Sequence, residues 1–379
     1  MKNNFTPSLG SIFLKPAGAN PLAFYCRYGL NLICVLIFGG AFQSALHAQT
    51  PPDLAWEVNY GSNSNDEARN IIQTSDGGYL VVGEVNGGTG DVAGSGYLGN
   101  SDGWVVKLNP SGTILWKKAY GTSSYDLGIF QAIEVSDGYV LVGSTYFSGG
   151  FSTDKLWYAK VAKSTGVPLA NWTFQYNSTG QSVGHTIVTT PDGGFLIGGT
   201  LYDNGSKALL LKTNSAGVVT STYTSNPSGG LWGKVITQIE KTPDSGYALL
   251  GAYHDINEPG CNPNAEVSDR YDVWVCKFSS TFSAPWSKIY GGTTTDYPRD
   301  IVVVPDGNIF VLGNTGCTGA TTGPNNVGVG DWLMKTNSTG ILQDVQIVSV
   351  SLLDFGKSAY GLGLSCDDQI LVCGQSGSF

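Results

Sequence analysis

The chain has 379 residues, 41% of them apolar, enough to bury a sizeable core in one large domain or two. Lysine and arginine total 20 against 29 aspartates and glutamates, a net charge of −9 with only four arginines, which argues against a nucleic-acid binder built on clustered cations. Glycine, at 53 residues, is about twice its usual share and suits many tight turns rather than helices.

Residues 1–48 stand apart from the rest. Lys2, Lys15 and Arg27 precede an apolar run from Leu30 to Phe42, and Ala45–Ala48 offers small residues before Gln49. This is the pattern of a secretory signal peptide cut after Ala48, and a run of thirteen residues is too short to cross a bilayer core of about 30 Å. Its removal takes Cys26 and Cys34 and leaves Cys261, Cys276, Cys317, Cys366 and Cys373. Five is odd, so a complete disulfide framework is excluded. Cys276 and Cys373 sit at strand positions filled elsewhere by Val106 and Val82 and read as small core residues. Cys261 and Cys317 lie in equivalent loops of neighbouring repeats, where a bridge between them is possible.

From Leu54 onward the chain repeats one pattern. Asp-Gly or its degraded form recurs at Asp76, Asp137, Asp192, Asp244, Asp306 and Asp367, at intervals of 61, 55, 52, 62 and 61 residues. Periods of this length with four strands each predict the blades of a propeller. In each copy a first strand begins near Asp66, Asp126, Ser182, Leu231, Asp296 or Asp354. A nearly continuous apolar second strand follows the turn (YLVVGE, YVLVGS, FLIGGT, YALLGA, IFVLGN, ILVCGQ), as expected for strands sandwiched between neighbouring sheets. Third strands end at Lys107, Lys160, Lys212, Lys277 and Lys335, and the fourth carries Trp116, Trp172 or Trp286. The Asp-Gly steps predict two-residue hairpins with positive φ.

The ends of the repeat series are offset. Leu54–Gly61 (LAWEVNYG) matches a fourth strand, so it is expected to complete the last blade and close the ring, leaving no free sheet edge. The last copy holds only two strands before Phe379. The expectation is therefore an all-β propeller of about six four-stranded blades over residues 49–379, the last blade incomplete at the carboxyl end, closed by the amino-terminal strand, and truncated from a longer protein.

The run D-x-A-x-x-I-I-x-T-x-D-G-G-Y-x-V-V-G, followed by D-x-W-V-V-K-L-N-x-x-G-x-I-x-W-x-K-x-Y-G, resembles the tandem repeats of secreted propeller proteins from Bacteroidetes-type bacteria. The resemblance spans Leu54–Phe379 and implies an exported, surface or extracellular propeller of the kind sorted by type IX secretion, although no sorting domain follows here. It implies no single activity. The SGTILW turn is also similar to the tryptophan-docking repeat of quinoprotein dehydrogenases and sits where sialidases carry their Asp-box. Those residues staple blades in both families, so the likeness speaks to fold. A quinoprotein needs metal and quinone ligands that the chain does not show. A sialidase needs three arginines on a carboxylate and a tyrosine nucleophile, and the mature chain has just Arg69, Arg270 and Arg299.

Other motifs match by chance. GSGYLG (Gly94–Gly99) and GNSDG (Gly99–Gly103) lie in a loop that leads into a strand, not on the strand-to-helix turn that dinucleotide binding or a nucleophile elbow requires. Asp255, Glu258, Glu266, Asp269 and Asp272 lack the regular spacing of a calcium loop. Three residues past Asp66, Ser182, Leu231, Asp296 and Asp354 stand Arg69, His185, Lys234, Arg299 and Lys357, with Ile129 in copy two. An acidic chain thus repeats its few basic residues early in the innermost strand, where they would form a basic collar for an anionic ligand, or pair with acids such as Asp66 and Asp296 between blades. The function expected is non-enzymatic binding of an extracellular protein or glycan, with no cofactor, no nucleic acid and no membrane span after cleavage. The alternative is a hydrolase or lyase acting on an anionic glycan.

Overall fold

The computed structural model describes residues 35–37, 56–123, 126, 128–145, 154–176, 178, 180–203, 205–225, 235–255, 270–283, 286–291, 295–315, 330–349, 358–365 and 368–375. Cys261, Cys317, Lys234 and Lys357 lie outside them. Strands account for nearly all the regular structure, and among the described residues no helix is long and apolar enough to cross a membrane.

Five sheets each hold four antiparallel strands in sequence order. Blade one is β2 (Glu67–Gln73), β3 (Tyr79–Val85), β4 (Asp102–Leu108) and β5 (Ile114–Tyr120). Blade two is β6 (Gly128–Val135), β7 (Gly138–Thr145), β8 (Lys155–Val161) and β9 (Pro168–Gln175). Blade three is β10 (Gln181–Thr189), β11 (Phe195–Tyr202), β12 (Ser206–Thr213) and β13 (Val219–Thr224). Blade four is β14 (Val235–Lys241), β15 (Tyr247–Asp255), β16 (Arg270–Phe278) and β17 (Trp286–Tyr290). Blade five is β18 (Asp296–Val303), β19 (Ile309–Thr315), β20 (Asp331–Thr336) and β21 (Leu342–Ser349). The sixth, shorter sheet is β22 (Ser358–Leu364) and β23 (Ile370–Gln375), with β1 (Val35–Ile37) paired to the outer edge of β23 as Val35↔Val372 through Ile37↔Ile370. The chain is a six-bladed propeller with an incomplete last blade.

Successive blades bury a continuous apolar seam. Leu80, Val82 and Val105 of blade one meet Ile129, Tyr139 and Leu141 of blade two, and equivalent clusters join blades two to three, three to four, four to five and five to six. Strands buried on both faces need apolar residues at every position, which is why the second strands read as unbroken runs.

Two local expectations are corrected. The Asp-Gly turns mostly close over three residues, not two. Gly77 N–H donates to Thr74 O and Thr74 N–H to Gly78 O, with Gly77 at φ 81°, the pattern of a type I turn followed by a left-handed residue. Copy two, which lacks the second glycine, has the two-residue loop, with Val135 opposite Gly138. The second correction concerns closure. Among the described residues Trp56–Tyr60 forms no ladder with β22 or β23. It docks instead on blade one, where Trp56 Nε1 donates to Pro110 O at 3.0 Å, the Tyr60 hydroxyl donates to Gly112 O, and both rings pack on the cluster around Trp104 and Leu108.

That docking copies a device used around the ring. Trp116 Nε1 donates to Lys163 O at 2.8 Å and the Tyr120 hydroxyl to Gly166 O at 2.5 Å; Trp286 donates to Ser338 O at 3.1 Å and Tyr290 to Gly340 O at 2.6 Å. In each case a fourth strand's Trp and Tyr clasp the next blade's turn. Trp56–Tyr60 therefore occupies the place of a fourth strand belonging to the blade before blade one.

Candidate functional site

The innermost strand of every blade carries a β-bulge at the same place. The register breaks between Ala68 and Asn70, Ile129 and Gln131, Gly184 and Thr186, Ile236 and Gln238, Pro298 and Asp300, and Ala359 and Gly361. The six extra residues are Arg69, Phe130, His185, Thr237, Arg299 and Tyr360. A bulge leaves its residue outside the ladder and re-aims the side chain. Each of the six is partly exposed with a buried residue on at least one side. They lie near the start of the first strand, the end of the ring that also bears the long second-to-third-strand connections.

Three pairs of these residues from successive blades touch. The Arg69 guanidinium lies 4.3 Å above the Phe130 ring, Phe130 meets His185 edge-on at 5.0 Å, and Arg299 lies 5.3 Å from the Tyr360 ring. His185 Nε2 is 3.2 Å from Thr200 Oγ1, and the Thr237 hydroxyl donates to Leu250 O at 3.2 Å. The arrangement is a mixed ring of cations and aromatics.

Of the five basic residues singled out by spacing, Arg69, His185 and Arg299 stand at bulges. In blades four and six the bulge falls three residues after Lys234 and Lys357, at Thr237 and Tyr360. In blade two it falls on Phe130, while Ile129 is buried. Counting from the strand start missed these because the bulge, not the first residue, sets the register. Arg69 is also neutralised locally: its Nη2 lies 2.9 Å from both Glu67 Oε2 and Glu84 Oε2. The partners are these glutamates rather than Asp66 or Asp296. Asp66 instead accepts from Ser62 and Asn86, and Asp296 from Thr315 and Trp332.

The residue after each bulge joins blades beneath the ring. Asn70 Oδ1 accepts from Ala132 N (3.4 Å), Gln131 Oε1 from Ile187 N (2.6 Å), Thr186 Oγ1 from Ile239 N (3.1 Å) and Asp300 Oδ2 from Leu362 N (2.7 Å), while Gln238 Nε2 donates to Ile301 O (3.4 Å). This belt holds the bulges at fixed spacing and was invisible to spacing arguments.

Among the described residues no group of three or more His, Cys, Asp or Glu side chains is placed to hold a metal ion. Cys276 is a buried free thiol whose pKa is pushed up to about 12 by burial, and Cys373 is likewise buried. Arg270 opens β16, a third strand, so the three arginines do not share the innermost position that a sialidase-like grip on one carboxylate would suggest.

No family model matches the chain, and no curated protein matches it. Among solved structures it is similar to the WD40 domain of Pan2 from Neurospora crassa, at 12% identity and a TM-score of 0.40, covering 82% of this chain and 90% of that one. Drosophila Plexin A, solved in complex with Semaphorin 1b, matches at 11% identity and a TM-score of 0.43, over 98% and 87% of the two chains. A protein of unknown function from Bacteroides caccae matches at 12% identity and a TM-score of 0.29, over 70% and 92%. These likenesses are remote, and the propeller rests on the chain's own strands and seams.

Proposed function

We propose that this chain is a non-catalytic binding propeller, exported after loss of residues 1–48, whose bulge ring receives a ligand from outside the cell. One observation carries the binding site: six bulges bring Arg69, Phe130, His185, Thr237, Arg299 and Tyr360 into one ring on the innermost strands. Aromatic faces beside guanidinium groups suit a polar ligand with a flat apolar face, the combination that a sugar ring presents. Export is supported by the amino-terminal charge and hydropathy pattern and by the resemblance of the repeats to secreted Bacteroidetes-type propellers. Val35–Ile37 falls within the removed segment, so its pairing with β23 is a feature of the uncleaved chain.

The protein purified from its native envelope or medium is expected to begin at Gln49; an intact Met1 terminus there sinks the export reading. For the ring, an array of neutral and acidic oligosaccharides is probed with labelled protein and with a Phe130→Ala/His185→Ala variant. Binding weakened at least tenfold by the variant supports the site, and an array with no bound glycan, or binding unchanged in the variant, overturns it.

The hydrolase reading has one observation in its favour, the convergence of Glu67 and Glu84 at the ring. A glycoside-cleaving pair needs one carboxyl as proton donor, whereas here both accept from the single Arg69 guanidinium. Release of reducing ends from an acidic polysaccharide, abolished by Glu84→Gln, would decide for the enzyme.

A further inference from the structure

The two arginines of the ring occupy equivalent positions but not equivalent surroundings. In blade one, Glu67 lies opposite Glu84 in the β2–β3 ladder, and both place a carboxylate oxygen 2.9 Å from Arg69. The same rungs in blade five carry Tyr297 opposite Asn314. Both carboxylates are therefore missing from the Arg299 site. Asn314 is turned away, its Nδ2 donating to Asp331 Oδ1 at 2.6 Å. The adjacent acid, Asp300, is spent on the backbone N–H groups of Ile301 and Leu362. Like Arg69, Arg299 has a buried Nε with no hydrogen-bond partner, but its guanidinium rests 5.3 Å from the Tyr360 ring and not between two carboxylates.

Beside it, Tyr297 is 43% exposed and its ring lies 6.0 Å from that of Tyr271. A guanidinium over an aromatic face still offers its in-plane N–H fork to a carboxylate. Blade one shows what an arginine at this bulge holds when the chain supplies it. The exposed Tyr297 on the same rim presents a face on which a pyranose can stack. The protein's net charge of −9 disfavours a long polyanion and admits a ligand with one or a few charges.

We infer that Arg299, flanked by Tyr297 and Tyr360, is the carboxylate-recognition point of the ring, and that it takes an acidic sugar residue of the uronate type. This rests on the ring being the ligand site. It replaces a collar of cations by a single anion seat: Arg69 is internally occupied, and Arg299 is open to the ligand.

The test is calorimetric titration of the protein with a glucuronate-bearing disaccharide and with the methyl ester of the same disaccharide. The acid is expected to bind at least tenfold more tightly than the ester, and Arg299→Ala to abolish that difference. Tyr297→Glu restores on an exposed position the counter-ion that blade one uses. It is expected to remove acid binding, whereas Tyr297→Gln, which loses only the ring, weakens acid and ester alike and preserves their ratio. Circular dichroism melting of each variant confirms that it is folded. Equal binding of acid and ester, both lost in Phe130→Ala/His185→Ala, overturns the Arg299 inference and leaves the ring as a glycan site. An acidic peptide that binds through Arg299 while no uronate does overturns the sugar assignment. A charge preference that survives Tyr297→Glu also overturns the inference.

Discussion

In blades one to four the Asp of the turn and the Lys that ends the third strand form one unit. Lys107 Nζ lies 2.8 Å from Asp76, Lys160 3.0 Å from Asp137, Lys212 2.9 Å from Asp192 and Lys277 2.7 Å from Asp244. The lysines are mostly buried and the aspartates more than half exposed, so losing one partner is not like losing the other. Asp76→Ala strands the ammonium of Lys107, which is 2% exposed, with only Leu108 O as partner. It is expected to cost about 2–3 kcal/mol, whereas Lys107→Met leaves a hydrated carboxylate and costs about 1 kcal/mol or less, both read from urea unfolding. Two of these pairs contribute to the acid limb of stability. Hydrogen bonds from Lys277 and then Thr242 hold the Asp244 carboxyl at about 2, and those from Thr190 and Lys212 do the same for Asp192. Folded values below the unfolded one give stability that is present above about pH 4 and is lost as pH falls through 2. Asp102 has the opposite sign. Burial first, and then Asp126 across the blade one–two seam, push its carboxyl up to about 6. Its ionisation therefore opposes folding, and its share of stability fades as pH rises from about 4 through 6. Asp102→Asn is expected to raise the melting temperature at pH 7.5 and to flatten its fall between pH 5 and 7; a melting curve with the wild-type pH slope would refute this.

At the scale of the strand, the bulge does two things at once. It turns one side chain out of the ladder and places the next against the neighbouring blade's backbone. Gln131 is the best case, because it is buried and its Oε1 accepts from Ile187 N at 2.6 Å. Gln131→Leu leaves that N–H unsatisfied in a dry seam and is expected to cost about 1–3 kcal/mol. Amide exchange at Ile187 should speed up more than at Ile239, whose N–H is held by Thr186 instead. Uniform acceleration across both blades would mean that the belt is not the cause. The belt stops at blade six, where the residue after the bulge is Gly361 and has no side chain to offer.

For the whole molecule, the face of blade one turned away from blade two is covered differently from the five seams between successive blades. The cluster on blade one's outer face draws in Trp56 and Tyr60 as partly buried members and no residue of β22 or β23. Trp56 also meets Tyr79 edge-on at 5.8 Å. Trp56→Ala removes both the apolar cover and the bond to Pro110 O. It is expected to destabilise the protein by about 2–3 kcal/mol, and hydrogen exchange should show opening of β2–β5 before β10–β13. Loss of protection spread evenly over the blades would show that this face is not the weak point. Repeat arrays stabilise each unit through its neighbours, so the unit with the poorest neighbour opens first.

The sequence by itself determined the architecture. Asp-Gly steps at regular intervals and unbroken apolar second strands can only be satisfied by sheets packed face to face, so blade number and strand order follow from periodicity. It also marked Arg69, His185 and Arg299 as special, since three of the chain's few cationic or titratable side chains fall at one repeat position. What stayed hidden depends on geometry across repeats. The turn lysines and aspartates are 20–33 residues apart, from Lys212–Asp192 to Lys277–Asp244, and only the hairpin pairing of second and third strands brings them together. The bulge shifts the ring to Phe130, Thr237 and Tyr360, because one extra residue per strand resets which side chains leave the ladder, and no spacing from the strand start records it. Tertiary structure alone decided that the Arg69 guanidinium is held by two carboxylates and that of Arg299 is not. That difference lies in the residues two positions earlier and across the ladder, Glu67 and Glu84 in one blade and Tyr297 and Asn314 in the other, which become neighbours of an arginine only once the strands have paired.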